Sequence, residues 1–269
     1  MKKLLSVFVL LLVCLFSLVA CKKNDEKEIV VGASSTPHAV ILEYAKPLIE
    51  AKGYKLTIKV YDDYVQPNLA LDQGSLDANY FQHVPYLNEF NKGNGTKLVS
   101  AGSIHYEPLG LYGKNVTDLN SNNGTVYVPN DSSNETRALL LLAQVGLITI
   151  KQGKNIETGV SKLDIEDSKG LNIVELDAEL VPTTLKSSAD GSLAVINGNY
   201  ALENNIDLST ALAREASDGE AANTYGNIIA CKEGNENSDK IKVLVEVLTS
   251  KEVKDYITNT FGGAVLPSK

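Results

Sequence analysis

Ile29-Val30-Val31-Gly32-Ala33 is a short apolar run that leads directly into the helix-starting residues Ser34-Ser35-Thr36-Pro37. The segment from there to Val60 limits the fold more than any other feature of the chain. Ile41, Leu42, Ala45, Leu48 and Ile49 recur at three- and four-residue spacing, with a stop at Gly53 and a proline, Pro47, that should kink or locally weaken the helix. Leu56, Ile58 and Val60 then alternate with polar residues. Strand, helix, strand is a βαβ unit, which requires parallel strands with helices on the sheet faces.

The alternation continues. Gln66 to Leu71 reads as a helix, Leu76 to Phe81 as a strand, Pro85 to Phe90 as a short helix and Lys97 to Ala101 as a strand. The strand Thr125 to Val128 runs through Pro129-Asn130-Asp131 into a strong helix, where Ser132 and Glu135 have capping-box spacing. Its run Ala138 to Ala143 is apolar all round, which predicts a largely buried helix, and Gly146 is its expected stop. Ile173 to Leu176 and Leu193 to Ile196 are further strands, and Lys240 to Leu248 and Glu252 to Thr260 are amphipathic helices.

The amino terminus reads as an address. Lys2 and Lys3 precede an apolar run from Leu4 to Ala20 that only Ser6 and Ser17 interrupt. This is the pattern of a secretory signal, shorter than the roughly 20 residues of a membrane span. It ends Leu18-Val19-Ala20-Cys21, which resembles a bacterial lipobox. The resemblance implies cleavage before Cys21, a lipid on its thiol and acylation (palmitate or a similar chain) of the new terminus, because stable anchoring takes more than one chain. Lys22 to Glu28 reads as a flexible tether. Cys231 comes after an apolar strand-like run and reads as a small buried residue. An exported α/β chain of this size fits a two-lobed binding protein, whose ligand sits where strand carboxyl ends aim helix amino termini into a cleft.

Several function classes are excluded or weakened. Lys plus Arg is 25 against 33 for Asp plus Glu, a formal net charge of −8, so nucleic acid is not an expected partner. Three Cys without a Cys-x-x-Cys exclude a cysteine zinc site. There is no Gly-x-Ser-x-Gly for a serine hydrolase and no glycine-rich loop with a lysine for nucleotide. His38, His83 and His105 lack zincin spacing, but scattered histidines and a carboxylate could meet in space. An exported metal-binding protein or metal-dependent enzyme is therefore the alternative reading, and a surface adhesin built on a binding fold is a third.

Four local features can carry binding chemistry. Asp77 to Tyr86 packs three aromatics and an imidazole at a strand end, in a chain with no Trp and five Phe; Phe81 and Tyr86 could equally be core. Arg137 lies in the first turns of the Ser132 helix, where a guanidinium suits an incoming carboxylate, unless it is a surface arginine. Ile196-Asn197-Gly198-Asn199-Tyr200 places amides directly after an apolar strand, or is a simple turn. Tyr225-Gly226-Asn227 precedes Ile228-Ile229.

At these residues the chain resembles the methionine-binding lipoproteins, the NlpA family, which are receptors of methionine ABC importers. The match runs through Val31-Gly32-Ala33, Pro37-His38-Ala39, Asp63-Tyr64-Val65-Gln66-Pro67-Asn68 and Gly74 to His83. It continues through Pro129-Asn130-Asp131, Arg137 to Leu142, Val195 to Ala201 and Gly263-Ala264-Val265-Leu266-Pro267. The resemblance implies a type II, two-lobed periplasmic-binding-protein fold, each lobe a mixed, mostly parallel sheet flanked by helices. Residues 1–20 would be the signal peptide, 21–28 the lipidated tether, 29–110 with 226–269 the first lobe and 111–225 the second. It further implies a cell-membrane, extracytoplasmic substrate-binding protein for amino-acid transport. Such a protein has no enzymatic activity and no cofactor, binds methionine (expected as L-methionine) and works with the permease and ATPase subunits of an importer. By position, Arg137 would hold the ligand carboxylate with a bidentate fork, and Asn197 and Asn227 the polar backbone groups. Tyr64, Phe81, His83 and Tyr86 would wall the thioether. The chain departs from the family at Asn134-Glu135-Thr136, where many members have two glycines, and at Pro47.

Overall fold

The structure is a computed structural model that describes residues 27–218 and 220–268. The expected signal peptide, the expected lipidation site Cys21 and residues 22–26 of the expected tether lie outside the described residues. Glu28, read as tether, instead opens the first strand, and its carboxylate accepts from Lys55 Nζ (2.8 Å) and Thr57 Oγ1 (2.6 Å).

The leading βαβ unit is present. β1 (Glu28–Ala33) runs parallel to β2 (Lys55–Val60), with α1 (Val40–Ala51) between them and Pro47 inside that helix. Through α2 (Gln66–Asp72) the chain reaches β3 (Ala78–His83), also parallel to β1. Then come α3 (Val84–Asn94) and β4 (Leu98–Tyr106). The chain next crosses to a second sheet with β5 (Gly110–Gly113), β6 (Thr125–Pro129) and α4 (Ser132–Gln144). A small hairpin of β7 (Thr149–Ile150) and β8 (Ile165–Asp167) precedes β9 (Asn172–Leu176), α5 (Val181–Ser187) and β10 (Leu193–Ile196). After α6 (Gly198–Glu203), β11 (Ala213–Arg214) and α7 (Glu220–Thr224) the chain returns to the first sheet. There it adds β12 (Asn227–Lys232), α8 (Asp239–Leu248), α9 (Lys251–Phe261) and β13 (Leu266–Pro267).

The first sheet has the order β13-β4-β12-β3-β1-β2 and the second β11-β5-β10-β6-β9, so the molecule is a two-lobed α/β protein. Each sheet is parallel in one half and antiparallel in the other, which corrects the expectation of mostly parallel sheets. The physical reason is connectivity. β5 and β12 arrive by crossing between sheets rather than by a helical crossover, so nothing forces them to run with their neighbours.

Each lobe has its own core. Ile29, Val31, Ile41, Leu42, Ile49, Leu244 and Ile257 join α1, α8 and α9 to the first sheet. Val126, Val128, Leu139, Leu142, Ile173 and Val195 bury α4 against the second. Each fully buried aliphatic side chain contributes roughly 1.5–3 kcal/mol. Cys231 is buried in the first core, where burial pushes its thiol up to about 11.

The entry to α4 differs from the expected capping box. Asp131 is the cap: its carboxylate accepts the Asn134 backbone N–H at 2.9 Å. Ser132 turns its hydroxyl to Glu89, and Glu135 accepts the Lys162 N–H at 2.8 Å. A carboxylate at this position both satisfies an unpaired donor and faces the positive end of the helix, which the serine hydroxyl does only in part. Gly146 lies just past the helix at φ +77°, a conformation that favours glycine.

Candidate functional site

Between the two sheets lies a narrow cavity, and all seven residues singled out in the sequence line it. Its first wall is aromatic. Phe81 and His83 are two residues apart on β3 and so share a face. Tyr86 enters from the first turn of α3, whose cap is His83: its Nδ1 accepts the Tyr86 N–H at 3.2 Å. Tyr64 comes from the loop between β2 and α2, and the Tyr86 hydroxyl donates to its carbonyl at 3.1 Å. The ring centroids of Tyr64 and Phe81 are 5.6 Å apart, and Phe81 and Tyr86 meet edge to face at 6.1 Å. These separations lie in the favourable range for aromatic pairs. Phe81 and Tyr86 also pack on Phe90, so they are both core and wall.

The opposite wall is polar. Asn197 stands at the head of α6 after β10 without a side-chain capping bond, and its Nδ2 donates to Asn134 Oδ1 at 2.9 Å. Asn199, one residue into the helix, accepts the Tyr64 hydroxyl at 2.6 Å. Two buried atoms here have no partner: the acceptor Asn197 Oδ1 and the donor Asn199 Nδ2. A buried polar atom without a partner costs about 1–3 kcal/mol, so this pair is open to a bound partner in the cavity. Asn227 is a polar group on the first wall instead: it opens β12, pairs with His83 of β3, and accepts from His38 Nε2 at 3.0 Å.

Arg137 lines the cavity but is not a free fork. Its Nε and one Nη donate to Glu215 at 3.0 and 2.6 Å, and that Nη also donates to the Glu107 carbonyl at 2.9 Å. The other Nη has only Asn134 Oδ1, at 3.4 Å. The expected bidentate grip on a ligand is therefore already given to a protein carboxylate, for a simple reason. A guanidinium 4% exposed needs a counter-charge before any ligand arrives. Burial works against its charge, but Glu215 more than offsets this and holds its pKa above the usual value; Arg137 in turn holds Glu215 low despite burial. Tyr225 lies over the guanidinium with its ring centroid 4.6 Å away.

The histidines are buried and neutral. Burial lowers His83 to about 3, helped by the Arg137 charge, and lowers His38 to about 4 and His105 to about 3. His105 Nε2 is 2.6 Å and His38 Nε2 3.3 Å from Glu107 Oε1, while their Nδ1 atoms face Tyr80 and Ser34 hydroxyls. These three groups are close enough to suggest a metal, and His83 is not among them. The geometry does not support one. Donors around zinc at about 2.0–2.2 Å would stand over 3 Å apart, whereas 2.6 Å is a hydrogen-bond length and every ring nitrogen already has a partner.

Sequence reasoning did not single out Glu107, Gln82, Leu109, Asn134 or Asn199 as wall residues, or Glu215 as the partner of Arg137. Glu107 had a signal: a lone acid between an apolar strand and Pro108, where the chain leaves the first sheet. Glu215 had none.

The family model described as NlpA lipoprotein matches residues 29–269. The chain belongs to the NlpA lipoprotein family. This NlpA lipoprotein is 40% identical to the methionine-binding lipoprotein MetQ of Bacillus subtilis over 267 residues, 96% of each chain. It is 36% identical to the D-methionine-binding lipoprotein MetQ of Escherichia coli, over 93% of this chain and 92% of that one. Among solved structures, a nutrient binding protein from Burkholderia cenocepacia bound to methionine is similar with a TM-score of 0.83 and 38% identity, covering 90% of this chain and all of that one.

Proposed function

We propose that this chain is a lipid-anchored, extracytoplasmic receptor that closes on methionine and hands it to an ABC importer. One observation carries the reading: a cavity with rings on one wall and, on the other, one unpaired acceptor and one unpaired donor. A free amino acid brings a donor, an acceptor and a side chain. The ring wall suits a thioether, since sulfur–aromatic contacts contribute about 0.3–1.5 kcal/mol each.

In this reading Tyr64, Phe81, His83 and Tyr86 wall the side chain. Asn197, Asn227 and the uncommitted Nη of Arg137 meet the polar backbone. Ligand touches both lobes at once and so favours the closed state. The lobes divide at the two crossings, close to the expected 29–110 with 226–269 and 111–225, with Leu109 and Gly110 already on the second sheet's side. Cys21 bears the lipid, and the permease and ATPase subunits are the partners. The relatives that bind methionine support the ligand. No reaction is carried out.

The test is thermal. Ligand-stripped protein is melted with a panel of amino acids including both enantiomers of methionine. Binding to the folded state alone raises the melting temperature by mass action. Methionine should give a saturable rise larger than alanine does; a flat panel overturns the receptor.

A further inference from the structure

We infer that Glu107 is the counter-ion of the ligand's ammonium group, so that a free, protonated amine is a condition of binding. This rests on the amino-acid reading of the cavity and adds to it the residue that enforces it.

The charges on the cavity wall are those of Arg137 and Glu107. Arg137 is already matched by Glu215 through two hydrogen bonds, and the histidines are neutral. The unmatched acid in the site is therefore Glu107, 5% exposed, whose pKa burial raises despite His38 and Arg137 nearby, so a cation from the ligand is what completes its charge. Its carboxylate is held in place from both lobes. Oε1 accepts from His105 at 2.6 Å, with His38 Nε2, which is bonded to Asn227, 3.3 Å away; the Asn199 backbone N–H donates from the start of α6, and Oε2 rests against Gly198, where an added Cβ would come within 2.9 Å. Two donors occupy two of about four acceptor sites and leave acceptor capacity for the cavity. The orphaned Asn197 Oδ1 is a second acceptor on the same cavity. Acceptors without a cation suit an ammonium, while Asn199 Nδ2 and the spare Arg137 Nη suit the ligand carboxylate.

His38 and His105 are positioning residues. Ser34 and Tyr80 hydroxyls face their Nδ1 atoms, which keeps His105 Nε2–H aimed at Glu107 and His38 Nε2–H at Asn227, 3.3 Å from the same carboxylate.

The test compares L-methionine with its isosteric α-hydroxy analogue, 2-hydroxy-4-(methylthio)butanoate, by calorimetric titration of ligand-stripped protein. The wild type should bind the hydroxy acid about 30- to 1,000-fold more weakly, the usual effect of removing one partner from a buried charge pair. In Glu107→Gln the gap should shrink below about tenfold, mainly through weaker methionine binding. His105→Phe should narrow the gap as well, and His105→Gln, which keeps a donor, should restore it. The wild-type ratio alone decides if the Glu107 variants do not fold. Equal affinity of the wild type for both compounds overturns the assignment and leaves the receptor standing. No binding of methionine at all overturns both.

Discussion

The two walls of the cavity are built on opposite principles. The ring wall of the first lobe is complete: Phe81, Tyr86 and Phe90 pack on one another, the Tyr86 hydroxyl donates to the Tyr64 carbonyl, and the Tyr64 hydroxyl donates across the cleft to Asn199. The amide wall of the second lobe is hydrogen-bonded but incomplete, with Asn197 Oδ1 and Asn199 Nδ2 left over. An apolar wall can be finished by the protein alone, because contact between rings needs no third party. A polar wall meant for a ligand cannot, because every donor the protein satisfies is one the ligand loses. Arg137 shows the compromise: most of its donors go to Glu215 and the Glu107 carbonyl, and one Nη has only a 3.4 Å bond to Asn134.

Removing Arg137 should break this contrast most sharply. Arg137→Ala leaves Glu215 buried without its cation and should cost about 3–5 kcal/mol of stability in urea titration of the ligand-free protein, besides weakening methionine binding. If Arg137 served the ligand only, the ligand-free stability would be unchanged.

The ring wall should respond differently. Phe81→Ala should cost about 3–5 kcal/mol of stability through its packing, and it should lower affinity for methionine more than for alanine. Equal losses for the two amino acids, read by titration, would show that the wall does not sense the side chain.

The junction between the walls should depend on pH. His83, which reaches Asn134 across the cleft, has its folded pKa pushed down to about 3 from an ordinary value near 6.5. A lowered histidine is protonated first in the unfolded chain. Its contribution is thus fully present above pH 6.5 and is lost as pH falls toward 3. Between pH 7.5 and pH 5 the wild type should lose about 2 kcal/mol relative to His83→Gln in urea titrations. Parallel pH profiles for the two proteins would remove the burial account.

The smallest effect separates the two caps of α4. Asp131→Ala should cost about 1–2 kcal/mol and Ser132→Ala less than about 0.5 kcal/mol, checked by thermal unfolding. The reverse order would restore the serine capping box.

What could be read in the sequence was local. Hydrophobic spacing located β1, α1 and β2, and the segments around Phe81, Arg137, Asn197 and Asn227 all reach the cavity. What could not be read was pairing over distance. The Arg137–Glu215 bond spans 78 positions, and the His38–Asn227 bond 189. No spacing rule connects such residues, because only the folded path of the chain brings them together. Strand direction was hidden for the same reason. β12 looks like any apolar strand, and its reversal against β3 results from the excursion through the second lobe.

The central claim is that a zwitterion lies between rings and amides. Its most direct test is calorimetric titration of ligand-stripped protein with L-methionine and with L-alanine, in the wild type and in Phe81→Ala. One saturable site, a clear preference for methionine and collapse of that preference in the variant are expected. Absence of saturable heat, or a preference that survives loss of the ring, would contradict it.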